Sequence, residues 1–301
     1  MTTGWAGPVW GEPSSANQLP VPLRALAAAP DAAYRAEGGA SGHFRVMAAS
    51  VAGVSHRLAG KRCEDAYGWA NPAPDRLALV VADGVSTAGR GGEGADLAVR
   101  AALRALSRDG EGWGEMAGLA AIRAADEEVT AAGGDAAAEL STTLVVALVE
   151  VSPGGCVVSV SRVGDSTAFT MGADGQWEEV FGPAGFSVPG DGGEGLKSTL
   201  VSVLPLASRM GAASSRAHRG GVPAGVDTSV ARLEPGGAFV LQSDGVADPL
   251  RDGPNTVAPA LAELLWRAGR GEVTPLELAQ AADFSRRGAH DDRTLLAAWL
   301  V

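Results

Sequence analysis

Short apolar runs bounded by turn residues recur from Phe44 to the end of the chain, and each run predicts a β-strand. Between the third and fourth runs lie two predicted helices, the first with apolar residues every three to four positions, as on one buried face. Two more helices are predicted late in the chain, the second with Thr274 as N-cap and Pro275 as its first residue. The predicted strands cover residues 44–51, 66–69, 77–81, 142–151, 157–163, 167–171, 238–242 and 294–300, and the predicted helices cover 95–106, 115–132, 257–268 and 275–287.

This order of elements does not alternate strand with helix, which argues against a doubly wound parallel sheet. It favours the α+β class, with sheets packed on each other and helices outside. Residues 1–42 are punctuated by proline and predict an irregular N-terminal extension, with a short helix at 23–29 and with Trp5 and Trp10 docked on the main body. Residues 43–301 are then expected to form one domain.

Composition limits the class of partner. Hydrophobic residues make up 46% of the 301-residue chain and charged residues 20%, as in a folded globular protein. The net charge of −11 argues against nucleic acid or an anionic membrane surface as the main partner. The two cysteines form neither a disulfide framework nor a four-cysteine zinc site, which favours a reducing cytoplasm. Every apolar run is far shorter than the ~20 residues of a membrane span, so we expect a cytoplasmic protein without one.

Acidic residues stand at the ends of the apolar strands. Asp83 and Asp244 each end such a run and precede glycine, and Asp165 lies between two strands. A carboxylate at the end of a buried strand is costly to desolvate unless it is paired, hydrogen-bonded or bound to metal. A single Asp-Gly is common turn chemistry. Recurrence at several strand ends, including Asp291 and the pair Glu64-Asp65, favours a site for a hard cation with oxygen ligands.

Short motifs follow one another in a fixed order along the chain. They are Gly53-x-Ser55-His56 with Cys63-Glu64-Asp65-Ala66, Val81-Ala82-Asp83-Gly84, Ser141-Thr142-Thr143-Leu144, Val163-Gly164-Asp165-Ser166, Gln242-Ser243-Asp244-Gly245-x-x-Asp248 and Asp291-Asp292-x-Thr294-Leu295. Each is weak alone, but the series resembles the metal-dependent type 2C Ser/Thr protein phosphatases. It is most similar to the bacterial branch, whose first motif contains Ser-His and Cys-(Gln/Glu)-Asp-Ala, and the resemblance covers about residues 45–301.

The resemblance implies a four-layer α-β-β-α sandwich, with two Mg²⁺ or Mn²⁺ ions between two antiparallel sheets. By their place in the motifs, Asp83 would bridge both ions and the carbonyl of Gly84 would bind the second ion. Asp244 and Asp291 would bind the first ion.

The remaining acidic residues are implied to act at longer range. Glu64 and Asp65 match the pair that binds through metal-held waters, and Asp165 matches the ligand of a weaker third ion. Two such ions lower the pKa of a shared water and neutralise phosphoryl charge. The implied function is hydrolysis of phosphoserine and phosphothreonine by a monomer that acts on phosphoproteins in bacterial signalling.

The chain departs from the family pattern where the substrate phosphate is bound. The best-known branches carry an arginine four residues before the motif glutamate, and Gly60 stands there in this chain. Arg57, Lys61 or Arg62 could replace it, because a guanidinium suits bidentate phosphate binding, and for each of them the alternative is a solvated surface base. His56 is a further candidate for substrate contact, with a structural histidine as the alternative.

Two other functions stay open. A catalytically silent relative could bind phosphoproteins as a regulatory module, and a small-molecule phosphatase could use the same scaffold without an arginine at position 60. The presence of Asp83, Asp244 and Asp291 favours activity. The glycine-rich region 172–236 predicts a long, mobile cover over the site, with one face built from residues 182–195.

Overall fold

Two antiparallel sheets form the centre of the protein. The computed structural model describes residues 34–107, 113–181, 203–206, 225–251, 257–284 and 290–301. The six-stranded sheet has, in spatial order, β1 (Tyr34–Ser41), β2 (Phe44–Val51), β11 (Arg293–Leu300), β10 (Ala238–Gln242), β7 (Thr167–Met171) and β8 (Trp177–Glu179). The five-stranded sheet has β3 (Asp65–Ala73), β4 (Arg76–Asp83), β5 (Leu144–Ser152), β6 (Gly155–Val163) and β9 (Asp227–Leu233).

Helices cover the outer faces of both sheets. The helices are α1 (Val54–Leu58), α2 (Gly91–Leu106), α3 (Glu115–Gly133), α4 (Asp244–Arg251), α5 (Val257–Gly269) and α6 (Pro275–Ala282), and shorter 3₁₀ turns lie at Ser86–Ala88 and Gly134–Leu140. Helices α2 and α3 pack on the five-stranded sheet, and α4, α5 and α6 pack on the six-stranded sheet. The predicted α+β fold, an α-β-β-α sandwich, is confirmed.

The alternation of side chains along each strand divides the core into layers. Along β4, Leu79 and Val81 point into the space between the sheets, whereas Val80 and Ala82 face α2 and α3. Both faces of the strand are therefore apolar, which is why the sequence reads there as an unbroken apolar run.

The N-terminal boundary predicted from the sequence is wrong. Residues Tyr34–Ser41 belong to the predicted irregular extension but form β1, which pairs with β2 along its whole length. Glycine and half-buried polar residues hide this edge strand, because its pairing depends on β2 rather than on an apolar pattern of its own. Residues 1–33, with Trp5, Trp10 and the predicted helix at 23–29, lie outside the described residues.

The prediction of one long loop at 172–236 is also wrong in part. Strands β8 and β9 lie within it, and β9 pairs with β6 over seven residues. Both are edge strands with half-exposed, polar-rich sequences. Residues 182–195, the predicted face of a cover, lie outside the described residues.

The last predicted helix begins as expected and ends early. Thr274 caps α6 through its side-chain oxygen, which accepts a hydrogen bond from the backbone N–H of Glu277 at 3.3 Å. The helix ends at Ala282 rather than at residue 287, and Asp283 takes the C-cap position. Of the helices in the described ranges, none is long and apolar enough to cross a membrane.

Candidate metal centre

Strand ends from both sheets meet at one edge of the sandwich. Asp65 begins β3 and Asp83 ends β4, and the two residues are direct partners in the β3–β4 ladder. From the other sheet, Ser243 follows β10, and its hydroxyl donates to Oδ2 of Asp65 at 2.8 Å. The same Ser243 oxygen accepts from the backbone N–H of Thr294 at the start of β11 at 2.9 Å. The structure thus joins β3, β10 and β11 where the sequence predicts the metal ligands.

Glycine permits the close packing behind these carboxylates. A Cβ atom on Gly84 would collide with the backbone of Gly91, the first residue of α2, and a Cβ atom on Gly245 would collide with the carbonyl oxygen of Asp292. Gly84 also donates its N–H to the carbonyl of Glu64 at 3.2 Å. The Asp-Gly pairs here therefore serve close backbone approach, and neither glycine needs a positive φ.

Four aspartates interact at this edge. Asp244 opens α4, and its charge acts on Asp83. The charges of Asp165 and Asp291 act on both of these groups. The structure thus brings the predicted ligands together although they are separated by more than 200 positions along the chain.

Asp291 and Asp292 have different surroundings. Oδ1 of Asp292 accepts from the N–H of Gly53 at 2.6 Å and contacts Nδ1 of His56 at 2.9 Å. Oδ2 of Asp292 accepts from the N–H of Glu64. Asp292 is therefore a buried structural anchor between β11, α1 and β3. Within the described residues, the carboxylate of Asp291 accepts a single hydrogen bond, and it is a local one from the N–H of Asp292.

Burial and mutual repulsion raise the pKa values of the clustered carboxyl groups. Burial is the largest cause for Asp83, whose pKa is well above its usual range, and the charges of Asp65, Asp244 and Asp291 add to it. The pKa of Asp65 is also well above its usual range, mainly because of burial and secondly because of the charge of Asp292. Burial, Asp165 and Asp291 raise the pKa of Asp244 to about 7. A group of acids this close cannot all ionise without a compensating cation.

Several oxygens of the cluster lack a partner. Oε2 of Glu64, Oδ1 of Asp65 and Oδ1 of Asp244 are buried and have no hydrogen-bond partner among the residues that the structure describes. Buried carboxylate oxygens of this kind are costly, and Mg²⁺ and Mn²⁺ take such hard oxygen ligands. The residues therefore fit a divalent cation. Within the described ranges, no three acidic, histidine or cysteine side chains already enclose one point, so a cation would have to draw the carboxylates inward.

The metal-free protein should lose stability as the pH rises from about 4 to about 7. The pKa values of Asp83, Asp65 and Asp244 are higher in the folded than in the unfolded chain, so the folded state binds more protons over this interval. The unfolding free energy then falls with pH, and the stability that protonation provides is complete only below the unfolded pKa of about 4. Thermal unfolding of metal-stripped protein across this range measures the effect.

Two controls accompany this pH series. Asp244→Asn should flatten the dependence, because it removes one of the titrating groups. Mn²⁺ added near neutral pH should raise the Tm of the native sequence by neutralising the cluster. A Tm that climbs with pH in the stripped protein would contradict the expected sign.

The candidate phosphate-binding residues occupy different places. Arg57 forms an ion pair with Asp283 at 2.9 Å and donates to the hydroxyl of Tyr34 at 2.8 Å, so it ties α1 to α6 and β1. His56 places Nδ1 on Asp292 and Nε2 3.7 Å from Oε2 of Glu64, so both ring nitrogens face carboxylates. These contacts favour structural roles for Arg57 and His56.

Two further bases, Lys61 and Arg62, follow α1 and immediately precede Glu64 in the chain. Nζ of Lys61 is 3.7 Å from Oε1 of Glu64, and its side chain is half exposed. Nη1 of Arg62 is 3.2 Å from Oδ2 of Asp96 on α2, with the Arg62 side chain 30% exposed. Arg62 is therefore partly accessible and held in place beside the cluster. The side chain of Arg35 also contacts Asp96. Neither Asp96 nor Arg35 belongs to a motif, so the sequence analysis did not identify them.

Comparison with known proteins identifies the family. The sequence profile described as Protein phosphatase 2C matches residues 52–281, which is about three quarters of the chain. The chain belongs to the protein phosphatase 2C family. The resemblance drawn from its motifs is thereby confirmed.

Solved structures of bacterial serine/threonine phosphatases share the fold of this chain. The serine/threonine phosphatase of S. agalactiae is 15% identical, with a TM-score of 0.61 over 86% of this chain and 100% of that one. The catalytic domain of PstP from Mycobacterium tuberculosis, solved with two manganese ions, is 20% identical, with a TM-score of 0.53 over 86% of this chain and 98% of that one.

A curated relative matches a shorter segment. Serine/threonine-protein phosphatase 3 of Escherichia coli (strain K12) is 39% identical over 77 residues, which are 24% of this chain and 30% of the relative. The match thus spans less than a third of the curated relative's length.

Proposed function

We propose that this chain is a metal-dependent phosphatase that hydrolyses phosphoserine and phosphothreonine in proteins. The observation that carries the proposal is the group of buried carboxylate oxygens where the two sheets meet, which lack a hydrogen-bond partner within the described part of the chain. Membership of the protein phosphatase 2C family supports it. The manganese ions bound to PstP and the name of the E. coli relative point the same way.

Each carboxylate of the cluster has a place in this proposal. Asp83 would bind both ions, and the carbonyl of Gly84 would bind the second ion. Asp244 and Asp291 would bind the first ion. When bound, Mg²⁺ or Mn²⁺ supplies an activated water and neutralises charge on the phosphoryl group. The raised pKa values of Asp83 and Asp244 support this assignment, because a divalent cation would displace protons that the cluster otherwise retains.

The flanking acids are proposed to orient this centre. Glu64 and Asp65 would act through water, with Asp65 fixed by the hydroxyl of Ser243 and Glu64 by its backbone bond to Asp292. Asp165 would hold a weaker third ion, since its charge already acts on Asp244.

We also propose that the protein is a cytoplasmic monomer. Cys63 and Cys156 are both buried free thiols, which suits a reducing compartment. The large exposed apolar side chains in the described residues are spread over several elements, as on β1, α1, α3 and α5, and do not suggest one interface. The charge of −11 argues against a nucleic-acid partner.

The test is hydrolysis of a phosphothreonine peptide, a phosphoserine peptide and p-nitrophenyl phosphate by the full chain. We expect turnover of both peptides with Mn²⁺ or Mg²⁺ and its loss with EDTA, restored by excess Mn²⁺. Turnover of p-nitrophenyl phosphate alone would favour a small-molecule phosphatase. Binding of the peptides without turnover in any metal would favour a regulatory module and overturn the proposal.

A further inference from the structure

Two arginines from distant parts of the chain share one carboxylate beside the acidic cluster. Nη1 of Arg62 lies 3.2 Å from Oδ2 of Asp96, and Nη1 of Arg35 on β1 lies 3.9 Å from Oδ1 of the same residue. Arg35 is itself fixed, because its Nη2 donates to the carbonyl of Asp65 and its guanidinium lies 5.4 Å from the centre of the Tyr67 ring. Asp96 is therefore held between Arg35, whose side chain is 12% exposed, and the more exposed Arg62.

The position of Arg62 relative to the cluster follows from the start of α2. A Cβ atom built on Gly92 would lie 3.0 Å from Cα of Glu64 and 3.2 Å from Nη2 of Arg62. The preceding residue, Gly91, packs against Gly84, which follows Asp83. One turn of helix thus touches both the Asp83-Gly84 segment and the Arg62 guanidinium, so the guanidinium lies close to the proposed metal centre.

The charges of this group suit a phosphate. Two guanidinium groups and one carboxylate carry a net charge of +1 next to a strongly acidic site. The ion pair with Asp96 uses Nη1 of Arg62, and Nη2 and Nε of a guanidinium are further donors. Arg62 can thus keep its ion pair with Asp96 and still donate two parallel hydrogen bonds to a phosphate. A lysine ammonium is less suited to such bidentate binding.

Position 60, where the family pattern has an arginine, is a glycine and cannot contact a phosphate through a side chain. Gly60 has a φ of +66°, and a Cβ atom there would have nothing within 4 Å. Arg57 is engaged by Asp283 and Tyr34, as described above. Of the bases near the motif glutamate, Arg62 is the one that combines access with a fixed orientation.

We propose that Asp96 is a positioning residue that holds Arg62 toward the phosphate of the substrate, and that Arg35 braces Asp96 from the buried side. This inference rests on the proposed phosphatase function and names the residues that bind its substrate. It also gives β1, which precedes the matched family segment, a part in substrate binding.

The test compares steady-state kinetics of Mn²⁺-saturated full-length variants on p-nitrophenyl phosphate and a phosphothreonine peptide. Arg62→Ala should raise KM about ten- to a hundredfold, as for loss of a charged hydrogen bond. Asp96→Asn should raise KM by up to about tenfold, because Arg62 stays but is no longer oriented. Asp96→Glu should restore part of the loss. The inhibition constant of inorganic phosphate should rise in parallel with KM.

Three further measurements separate positioning from a structural role. Mn²⁺ affinity by calorimetry and the Tm should be nearly unchanged in Asp96→Asn. Glu128→Gln is the matched control, since it breaks the 3.1 Å ion pair with Arg104 between α2 and α3 with the same change of charge. It should leave KM, kcat and the phosphate inhibition constant unchanged.

The inference is overturned if Asp96→Asn keeps the native KM and phosphate inhibition constant, or if it lowers kcat and Mn²⁺ affinity with KM unaltered. Failure of the proposed function looks different, because the native protein itself would then not hydrolyse the phosphothreonine peptide. In that case calorimetric titration of inorganic phosphate into the Mn²⁺-loaded protein decides the inference alone. Equal phosphate affinity for the native protein, Arg62→Ala and Asp96→Asn would refute it.

Discussion

Replacement of Asp83 by asparagine should lower kcat/KM at least about a hundredfold, since changes to groups that only support a metal ligand already cost 10- to 100-fold. Asp83 lies opposite Asp65 in the ladder, and the charges of Asp65, Asp244, Asp291 and Asp165 all act on it, so it occupies the centre of the cluster. The amide removes the charge on which cation binding depends but keeps the shape of the side chain. Calorimetry should show a corresponding loss of Mn²⁺ affinity.

Metal-free Asp83→Asn should nevertheless be as stable as the native protein, or more so. Burial and neighbouring charges raise the pKa of this carboxyl group, so its ionised form is unfavourable in the folded state. Asp75→Asn is the matched control, because Asp75 is exposed in the turn at the opposite end of the same β3–β4 hairpin. Wild-type turnover by Asp83→Asn, or the same loss in Asp75→Asn, would disprove the role given to Asp83.

Replacement of Asp292 by alanine should greatly lower the free energy of unfolding, in contrast to Asp83→Asn. The change leaves two backbone N–H groups and the His56 ring without their acceptor in a buried site. Removal of one partner from a buried charged network costs about 3–5 kcal/mol. Urea denaturation measures this as a drop in the midpoint at an unchanged m-value.

Two variants test the explanation for Asp292. His56→Ala removes one of the three contacts and should destabilise the protein less than Asp292→Ala. Asp135→Ala, at an exposed position after α3, should leave the midpoint nearly unchanged. If Asp292→Ala unfolds at the native midpoint, its carboxylate does not anchor β11 to α1 and β3.

Sequence patterns located the central strands well and the edge strands poorly. The predicted limits of β2, β7 and β10 are correct at both ends, because these strands are buried among neighbours and read as apolar runs. Strands β1 and β9 carry polar and exposed residues, and each exists because a neighbouring strand pairs with it. Such pairing is a long-range property that no local pattern encodes.

The candidate site divides in the same way. The aspartates were found because each stands in a motif at a strand end. Only the family motif separated Asp291 from Asp292, and the structural difference between them lies in the contacts of Asp292 with α1 and with the start of β3. Likewise, Arg57 and Arg62 are equivalent bases in the sequence and face different partners in the fold. Arg35 could not be found, since its role depends on a strand pairing that the sequence did not predict.

The location of β11 has a consequence for synthesis of the protein. This strand lies between β2 and β10 in the six-stranded sheet, although about 240 residues separate it from β2 along the chain. A nascent chain can form the β1–β2 hairpin early, but that hairpin has no sheet to join until β11 has left the ribosome. Asp291 and Asp292 emerge just before β11. A ribosome-bound or truncated chain that lacks β11 would thus lack the assembled centre, and the phosphatase activity proposed above would require that residues 293–300 are free to pair.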